Sequence, residues 1–214
     1  MTRKYFVLSL LLLALALFLF SACSPTAADM TPTPDTSIVW ADDFEDGEIE
    51  DWEIFGDVDV FVNEGVLTTG PNVRGVIYHE SKVSAGTWSF DLFYPEIGNP
   101  DYEIGLTVDQ DATNGLNVLS WTSGNTFVAF KSTSNGIESQ GETANLNRIL
   151  TGWNHFDITR DDSGNAKLYL NGELVQEYQD ELTFPPQWFV VGTLASGPII
   201  DNLVVRNQVL DIQP

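Results

Sequence analysis

Cysteine, histidine and basic side chains are all scarce in this sequence of 214 residues. Cys23 is its single cysteine, so the chain forms no internal disulfide and its fold must rest on a hydrophobic core. The two histidines, His79 and His155, do not make a zinc-ligand pattern. Because the sequence also has no nucleophile-elbow motif, it lacks the parts for covalent catalysis.

The charge balance is strongly acidic. Nine Lys and Arg side chains stand against 31 Asp and Glu, which gives a net charge of −22. The electrostatic field of a protein with this net negative charge repels nucleic acid and anionic lipid surfaces, so we exclude nucleic acid as a partner. Neutral glycans, cationic ligands and calcium remain compatible with it. The acidity also suits an exposed protein that is kept soluble by its charge.

The first part of the chain has the pattern of a secretory signal. Basic residues in Met1–Tyr5 precede an apolar run over Phe6–Phe20, and small residues lead into Cys23. This segment resembles a bacterial lipoprotein signal, which implies removal of residues 1–22 and acylation of Cys23, with palmitate as a typical acyl group. The alternatives are a short membrane anchor or a plain cleaved signal. The run is shorter than the ~20 residues of a spanning helix.

Residues 23–36 are rich in Pro, Thr and Ala and show no apolar periodicity, which is typical of an extended tether. With two or more acyl chains, Cys23 would hold the protein stably on a bilayer. We therefore expect a lipid-anchored protein of a bacterial cell membrane or outer membrane, facing the extracytoplasmic side.

Residues 37–214 show the pattern of a single all-β domain. Short apolar or alternating runs are broken by Gly, Asn, Asp and Pro about every ten residues, which predicts a sandwich or barrel. In Trp88–Leu92 the apolar residues alternate with polar ones and should point inward. Asn171-Gly172 predicts a tight hairpin turn. The one weak helical candidate is Thr143–Leu150, for which a loop over a sheet edge is an equal alternative.

Several local motifs occur in a recognisable order. They are Trp40–Gly47, Asp51-Trp52, Val62–Leu67, Gly152–Ile158, Lys167–Glu173 and Ile200–Val205. This order resembles the concanavalin A-like lectin/glucanase superfamily, in particular its laminin G-like members on bacterial surfaces. The resemblance implies a two-sheet antiparallel jelly-roll sandwich whose first and last strands are adjacent. It also implies that His155, in a Trp-x-His-Phe run, serves the structure. Independently of the resemblance, we expect Trp153 in the core.

The resemblance further implies a structural calcium ion between the first and last strands. Its ligands here would be Asp43, Glu45 and Asp201, with Asn202 as a helper and Asp42 as an alternative to Asp43. Carboxylate oxygens are the ligands that calcium prefers. The same acids would equally serve to cap a strand end or face water.

Hydrolytic members of this superfamily carry a Glu-x-Asp-x-x-Glu strand, which this sequence lacks. We therefore favour a binding protein over an enzyme. If the chain were an enzyme, Asp91, Glu103 and Glu80 would be the acids to inspect. The alternatives to a binding module are a sugar hydrolase of the 3-keto-disaccharide hydrolase-like type and a purely structural or adhesive envelope lipoprotein.

Aromatic side chains suggest what the module binds, because flat rings stack on the apolar faces of sugars. The sequence has six tryptophans. Trp88 is expected in the core, whereas Trp121 and Trp188 are the better platforms for a ligand. Tyr78, Tyr94 and Tyr102 are expected to join Trp121 on one sheet. The sequence thus predicts recognition of a carbohydrate or a glycan-bearing surface.

Overall fold

The structure is a computed structural model. It describes residues 35–49, 51–70, 75–94, 102–107, 115–122, 126–127, 130–133, 136–139, 144–145, 151–179, 186–193 and 199–212. The contacts divide the chain into two units, Met1–Asp35 and Thr36–Pro214. Cys23 and the tether lie outside the described residues.

The second unit is built from β-strands. In chain order these are β1 (Ile38–Asp42), β2 (Glu53–Gly56), β3 (Val60–Asn63), β4 (Val66–Thr69), β5 (Gly75–Glu80), β6 (Gly86–Tyr94), β7 (Tyr102–Thr107), β8 (Gly115–Thr122), β9 (Thr126–Phe127), β10 (Phe130–Thr133), β11 (Gly136–Ser139), β12 (Ala144–Asn145), β13 (Gly152–Arg160), β14 (Asn165–Leu170), β15 (Glu173–Gln179), β16 (Trp188–Thr193) and β17 (Ile199–Arg206). No described residue is helical. It follows that the described part of the chain has no helix that could cross a membrane.

The strands form two antiparallel sheets. The eight-stranded sheet has the order β15-β14-β13-β6-β17-β4-β3, and β1 pairs with β17. The nine-stranded sheet has the order β11-β10-β8-β7-β16-β5-β2, and off this path β9 pairs with β8 and β12 pairs with β9. First and last strands are paired from Ile38 opposite Arg206 to Asp42 opposite Leu203. The predicted all-β fold of two antiparallel sheets is therefore confirmed, as is the adjacency of the first and last strands.

The hydrophobic core lies between the two sheets. Phe90 of β6 stacks on Phe156 of β13 at 5.5 Å between ring centroids. It also meets Phe189 of β16, in the other sheet, edge-on at 5.6 Å. All three rings are fully buried, and each such burial contributes about 1.5–3 kcal/mol to folding. The inward direction predicted for Trp88, Phe90 and Leu92 is confirmed.

His79 of β5 is buried between the sheets, with 3 % of its surface exposed. Its ring stacks on Trp40 of β1 at 3.6 Å and meets Trp52 edge-on at 5.7 Å. Trp52 in turn donates a hydrogen bond from Nε1 to Oδ2 of Asp42 at 3.0 Å. Within the described residues, His79 Nδ1 has no hydrogen-bond partner. Burial lowers the pKa of His79, so its imidazole is neutral at physiological pH.

The Asn171-Gly172 hairpin turn is confirmed. Both residues have the positive φ that the turn requires, at 50° and 83°. The helical interpretation of Thr143–Leu150 is wrong at its start, because Ala144–Asn145 is β12 and pairs with β9. Residues 146–150 lie outside the described part of the chain.

Candidate functional site

The outer face of the eight-stranded sheet carries a row of polar and aromatic side chains. Along β6 and β13, alternate residues point into the core, so the residues between them point outward. Six of the outward side chains form three successive cross-strand pairs: Trp153 with Phe93, His155 with Asp91, and Asp157 with Ser89. We call these six residues the β6–β13 strip.

His155 joins two carboxylates within this strip. Its Nδ1 lies 2.7 Å from Oδ1 of Asp91, and its Nε2 lies 3.4 Å from Oδ1 of Asp157. Ser89 donates a hydrogen bond to the same oxygen of Asp157 at 2.6 Å. The imidazole therefore bridges strands β6 and β13 from the outside, where 47 % of its side chain is exposed.

The two carboxylates keep this imidazole charged. The Asp157 carboxylate raises the pKa of His155, burial opposes it, and Asp91 raises it further, to about 9. Burial raises the pKa of Asp157, but hydrogen bonds from His155 and Ser89 outweigh burial and leave it below its usual range. At neutral pH the site therefore holds an imidazolium whose two N–H groups both face carboxylates.

Asp91 is also held from its other side by β17. Asn202 donates from Nδ2 to Oδ2 of Asp91 at 2.9 Å. Asn202 has a positive φ of 52°, and it lies where the pairing of β17 with β6 is irregular, between Asp201 and Val204. This bulge brings its amide onto the outer face. Both oxygens of Asp91 are thus oriented by neighbouring side chains.

Trp153 gives the strip an exposed aromatic surface. Its ring packs edge-on against Phe93 at 5.4 Å, with an interplanar angle of 71°. Even so, 45 % of Trp153 remains exposed. The expectation that Trp153 belongs to the core is therefore wrong: Phe156 and Ile158 occupy the inward positions of β13, and Trp153 falls on the other face.

The hairpin turn after β14 fixes this end of β13. The backbone N–H of Asn171 donates to the carbonyl of His155 at 2.8 Å, and its side-chain oxygen accepts from the N–H of His155 at 2.9 Å. Its side-chain nitrogen donates to Oδ1 of Asn154 at 3.2 Å. A single turn residue thus holds the backbone that carries Trp153 and His155.

Two of the predicted ligand-binding aromatics lie together elsewhere, on the nine-stranded sheet. Tyr78 and Trp188 meet edge-on at 5.3 Å. Tyr78 is 5 % exposed and donates a hydrogen bond from its hydroxyl to Oε2 of Glu53 at 3.1 Å, while Trp188 is half-buried. The ring of Tyr78 is covered in this structure, so its contact with a ligand, like that of Trp188, stays a prediction.

The other three predicted aromatics are placed by their strands alone. Tyr94 lies on β6, Tyr102 on β7 and Trp121 on β8. Their side chains fall outside the described residues. Tyr78, Tyr102 and Trp121 belong to strands of the nine-stranded sheet, whereas Tyr94 belongs to the eight-stranded sheet, so the expectation that all four share one sheet is wrong for Tyr94. The contact of these residues with a ligand stays a prediction.

Two of the acids considered for an enzyme, Asp91 and Glu80, lie on different sheets. Asp91 belongs to the β6–β13 strip. Glu80 is exposed and forms an ion pair with Lys82, and the hydrogen bond from Lys82 lowers the pKa of Glu80. The side chain of Glu103 lies outside the described residues.

The predicted calcium ligands lie near the junction of β1 and β17. Burial raises the pKa of Asp201, as do the carboxylates of Asp91, Glu45 and Asp43, while the Asn202 N–H opposes them. A cleft of about 390 Å³ beside them is lined partly by Asp43 and Asn202. Hard carboxylate oxygens suit calcium. Among the described residues, however, no three acidic, histidine or cysteine side chains are already arranged to hold a metal ion, so this site stays a prediction.

Comparisons with known proteins show the fold. No family model and no curated protein sequence matches this chain. Among solved structures, it is similar to carbohydrate-binding module CBM66 from Bacillus subtilis, with 16 % identity, a TM-score of 0.57, and coverage of 73 % of this chain and 96 % of that one. A galectin-like fold protein of unknown function from Bacillus subtilis has 11 % identity, a TM-score of 0.59, and coverage of 81 % and 97 %. A structure described with endo-acting O-glycanases of the human gut microbiota has 12 % identity, a TM-score of 0.55, and coverage of 80 % and 99 %. The jelly-roll, concanavalin A-like class of the sandwich agrees with these neighbours.

Proposed function

We propose that this protein is a carbohydrate-binding module and that its ligand lies on the β6–β13 strip. The observation that carries the proposal is an exposed tryptophan, Trp153, on the same sheet face as polar groups of fixed orientation. The similarity of the fold to a carbohydrate-binding module and to a glycanase-related structure supports the same function.

The chemistry of the strip suits a sugar. The face of a pyranose ring would stack on Trp153, whose edge-on contact with Phe93 holds it in place. Asp91, oriented by His155 and Asn202, would accept hydrogen bonds from sugar hydroxyls. Because these groups are already held in position, little side-chain freedom would be lost on binding.

A glycan array tests this proposal with the purified full chain in mild detergent. We expect binding to a defined sugar class, and its loss in Trp153→Ala. Phe55→Ala is the matched control, because Phe55 is also an exposed aromatic, with 50 % of its surface exposed on β2 of the other sheet. Loss of binding in Trp188→Ala, with Trp153→Ala unaffected, would move the site to the Tyr78–Trp188 pair. An empty array would contradict the function itself.

The anchoring of the module is a separate part of the proposal. Acylation of Cys23 and a tether over residues 23–36 would hold the domain on the extracytoplasmic side of a bacterial membrane. Growth with labelled palmitate should label the wild-type protein and not Cys23→Ala. Equal labelling of both proteins would contradict lipidation at this residue.

A structural calcium ion at Asp43, Glu45 and Asp201 is likewise proposed. If these carboxylates bind calcium, the ion would offset the mutual repulsion that acts on Asp201. Calcium should then raise the unfolding temperature of the wild-type protein, and should not do so in Asp43→Asn. An unchanged unfolding temperature with calcium and with chelator would contradict it.

A further inference from the structure

The β6–β13 strip adjoins a pair of carboxylates that face each other across two strands. Asp201 of β17 is the direct register partner of Asp91 of β6. Like charges directly opposite in an antiparallel pair are destabilising. The bulge that follows Asp201 relaxes the pairing but leaves both carboxylates at the same level of the sheet. This pairing therefore needs a compensating positive charge.

Among the residues that the structure describes, a cation lies beside only one of the two carboxylates. Asp91 is beside the His155 imidazolium and accepts from Asn202. Asp201 accepts a backbone hydrogen bond from Asn202 at 2.7 Å, and the carboxylates of Asp91, Glu45 and Asp43 all repel it. The surface on the β17 side of Asp91 thus offers hydrogen-bond acceptors and negative charge.

This charge distribution discriminates among sugars. Uronic acids and sulfated sugars would be repelled by these carboxylates and by the net charge of −22. Neutral hydroxyls would be accepted, but an ammonium group would form stronger, charge-assisted hydrogen bonds to the same oxygens. An N-acetylated amine carries no charge and would lose this advantage.

We propose that the strip binds a glycan with free amino groups, with one sugar ring on Trp153 and a protonated amine beside Asp91 and Asp201. This inference rests on the carbohydrate-binding function proposed above. Trp153 lies opposite Phe93, so it is a diagonal neighbour of Asp91 on the same face, at about 7–8 Å. Asp201 lies opposite Asp91 on the next strand, so a glycan of two or more residues that stacks on Trp153 would reach both carboxylates.

The test compares glucosamine and N-acetylglucosamine tetrasaccharides, which differ only in acetylation. Binding to the full chain is measured by calorimetry at mildly acidic pH, where the free amines are charged, and with chelator to remove metal ions. We expect the glucosamine tetramer to bind about tenfold more tightly, a difference of about 1.4 kcal/mol. In about 1 M salt this preference should largely disappear, because the charges are then screened.

Two variants connect that preference to the carboxylates. Asp201→Asn should remove most of the preference while retaining the weaker binding of the acetylated tetramer. Asp211→Asn, at an exposed position outside the strip, is the matched control and should behave as wild type. Trp153→Ala should weaken both ligands. Circular dichroism and thermal unfolding check that each variant is folded.

Equal or tighter binding of the acetylated tetramer would overturn the inference and leave the carbohydrate-binding function intact. So would binding of neither tetramer by a protein that is positive for other sugars on the array. If the array were empty as well, the proposed function would fail together with the inference.

Discussion

The two histidines of this chain occupy opposite environments. His79 stacks on Trp40 and meets Trp52 edge-on in the core, and burial lowers its pKa. His155 lies on the outer face between two carboxylates, and its pKa is raised to about 9. The same residue type is therefore a neutral aromatic ring in the core and a cation between two carboxylates on the outer face. What surrounds the ring, and not the residue type, decides its role.

We expect the largest difference in stability when the tryptophan near each histidine is replaced by alanine. Trp52→Ala should lower the free energy of unfolding by about 3–5 kcal/mol, because it empties a buried site next to His79. Trp153→Ala, at an exposed position, should change it by less than about 1 kcal/mol. Urea denaturation of both variants measures this. Comparable losses in the two variants would mean that the strip belongs to the core.

The ion pairs of His155 with Asp91 and Asp157 should contribute less to the free energy of unfolding. His155→Gln removes the cation from two carboxylates, and because the site is partly exposed we expect a loss of only about 1 kcal/mol at neutral pH. The folded-state pKa of His155 lies above its unfolded value of about 6.5. The stabilisation is therefore complete below pH 6.5 and is lost as pH rises through about 9.

Unfolding measured across this range should show the wild type and His155→Gln converging at high pH. Proton NMR offers a direct check, since there are two histidines to observe. One ring should titrate near pH 9 and vanish from the spectrum of His155→Gln. A titration near pH 6.5 for that ring would contradict the pairing of the imidazolium with Asp91 and Asp157.

A change in the Asn171-Gly172 turn, which holds the backbone of His155, should have a smaller effect on stability. Asn171→Gly keeps the positive φ but removes the side-chain bonds to the N–H of His155 and to Asn154. We expect a loss of up to about 1 kcal/mol in stability, with weaker glycan binding. Asn171→Asp is the control, because its carboxylate still accepts from the N–H of His155. Equal binding by all three proteins would show that the turn does not position the strip.

The smallest effect at neutral pH is expected for His79→Phe, which retains an aromatic ring against Trp40 and removes an unpaired buried nitrogen. As pH falls below about 6.5, the unfolded wild-type chain takes up a proton that the folded His79 resists, so the wild type loses stability. The charges that act on this ring are Lys82, which disfavours the proton, and Asp51 and Asp42, which favour it. Thermal unfolding between neutral and acidic pH should show a smaller decline for His79→Phe; identical declines would contradict this account.

The fold was largely predictable from the sequence because strand and turn signals are local. The alternation in Trp88–Leu92 predicts which side chains are buried, and the turn at Asn171-Gly172 follows from the backbone freedom of those two residues. Strand β2 (Glu53–Gly56) carries no such signal, because all four of its residues are exposed and show no alternation between core and solvent. Pairing with β5 makes it a strand.

The candidate site was less predictable, since it depends on register. Alternation around Phe156 and Ile158 would have assigned Trp153 and His155 to the outer face, and that local signal was available. The pairing of His155 with Asp91, 64 positions away, has no signature in a single sequence. The sequence named Asp91 as an acid to inspect and Asn202 as a calcium helper, but their contact arises only from the bulge in β17.

The pairing of β1 with β17 has a consequence for how this domain can be combined with others. The N–H of Asn207 donates to the carbonyl of Ser37 at 2.9 Å, so the chain enters and leaves the fold at neighbouring points. A domain with adjoining ends can be spliced into a surface loop of a host protein without forcing the two sides of that loop apart. The same geometry permits circular permutation, with new ends opened at the Asn171-Gly172 turn or elsewhere. The domain is thus suited to insertion into other proteins as a unit.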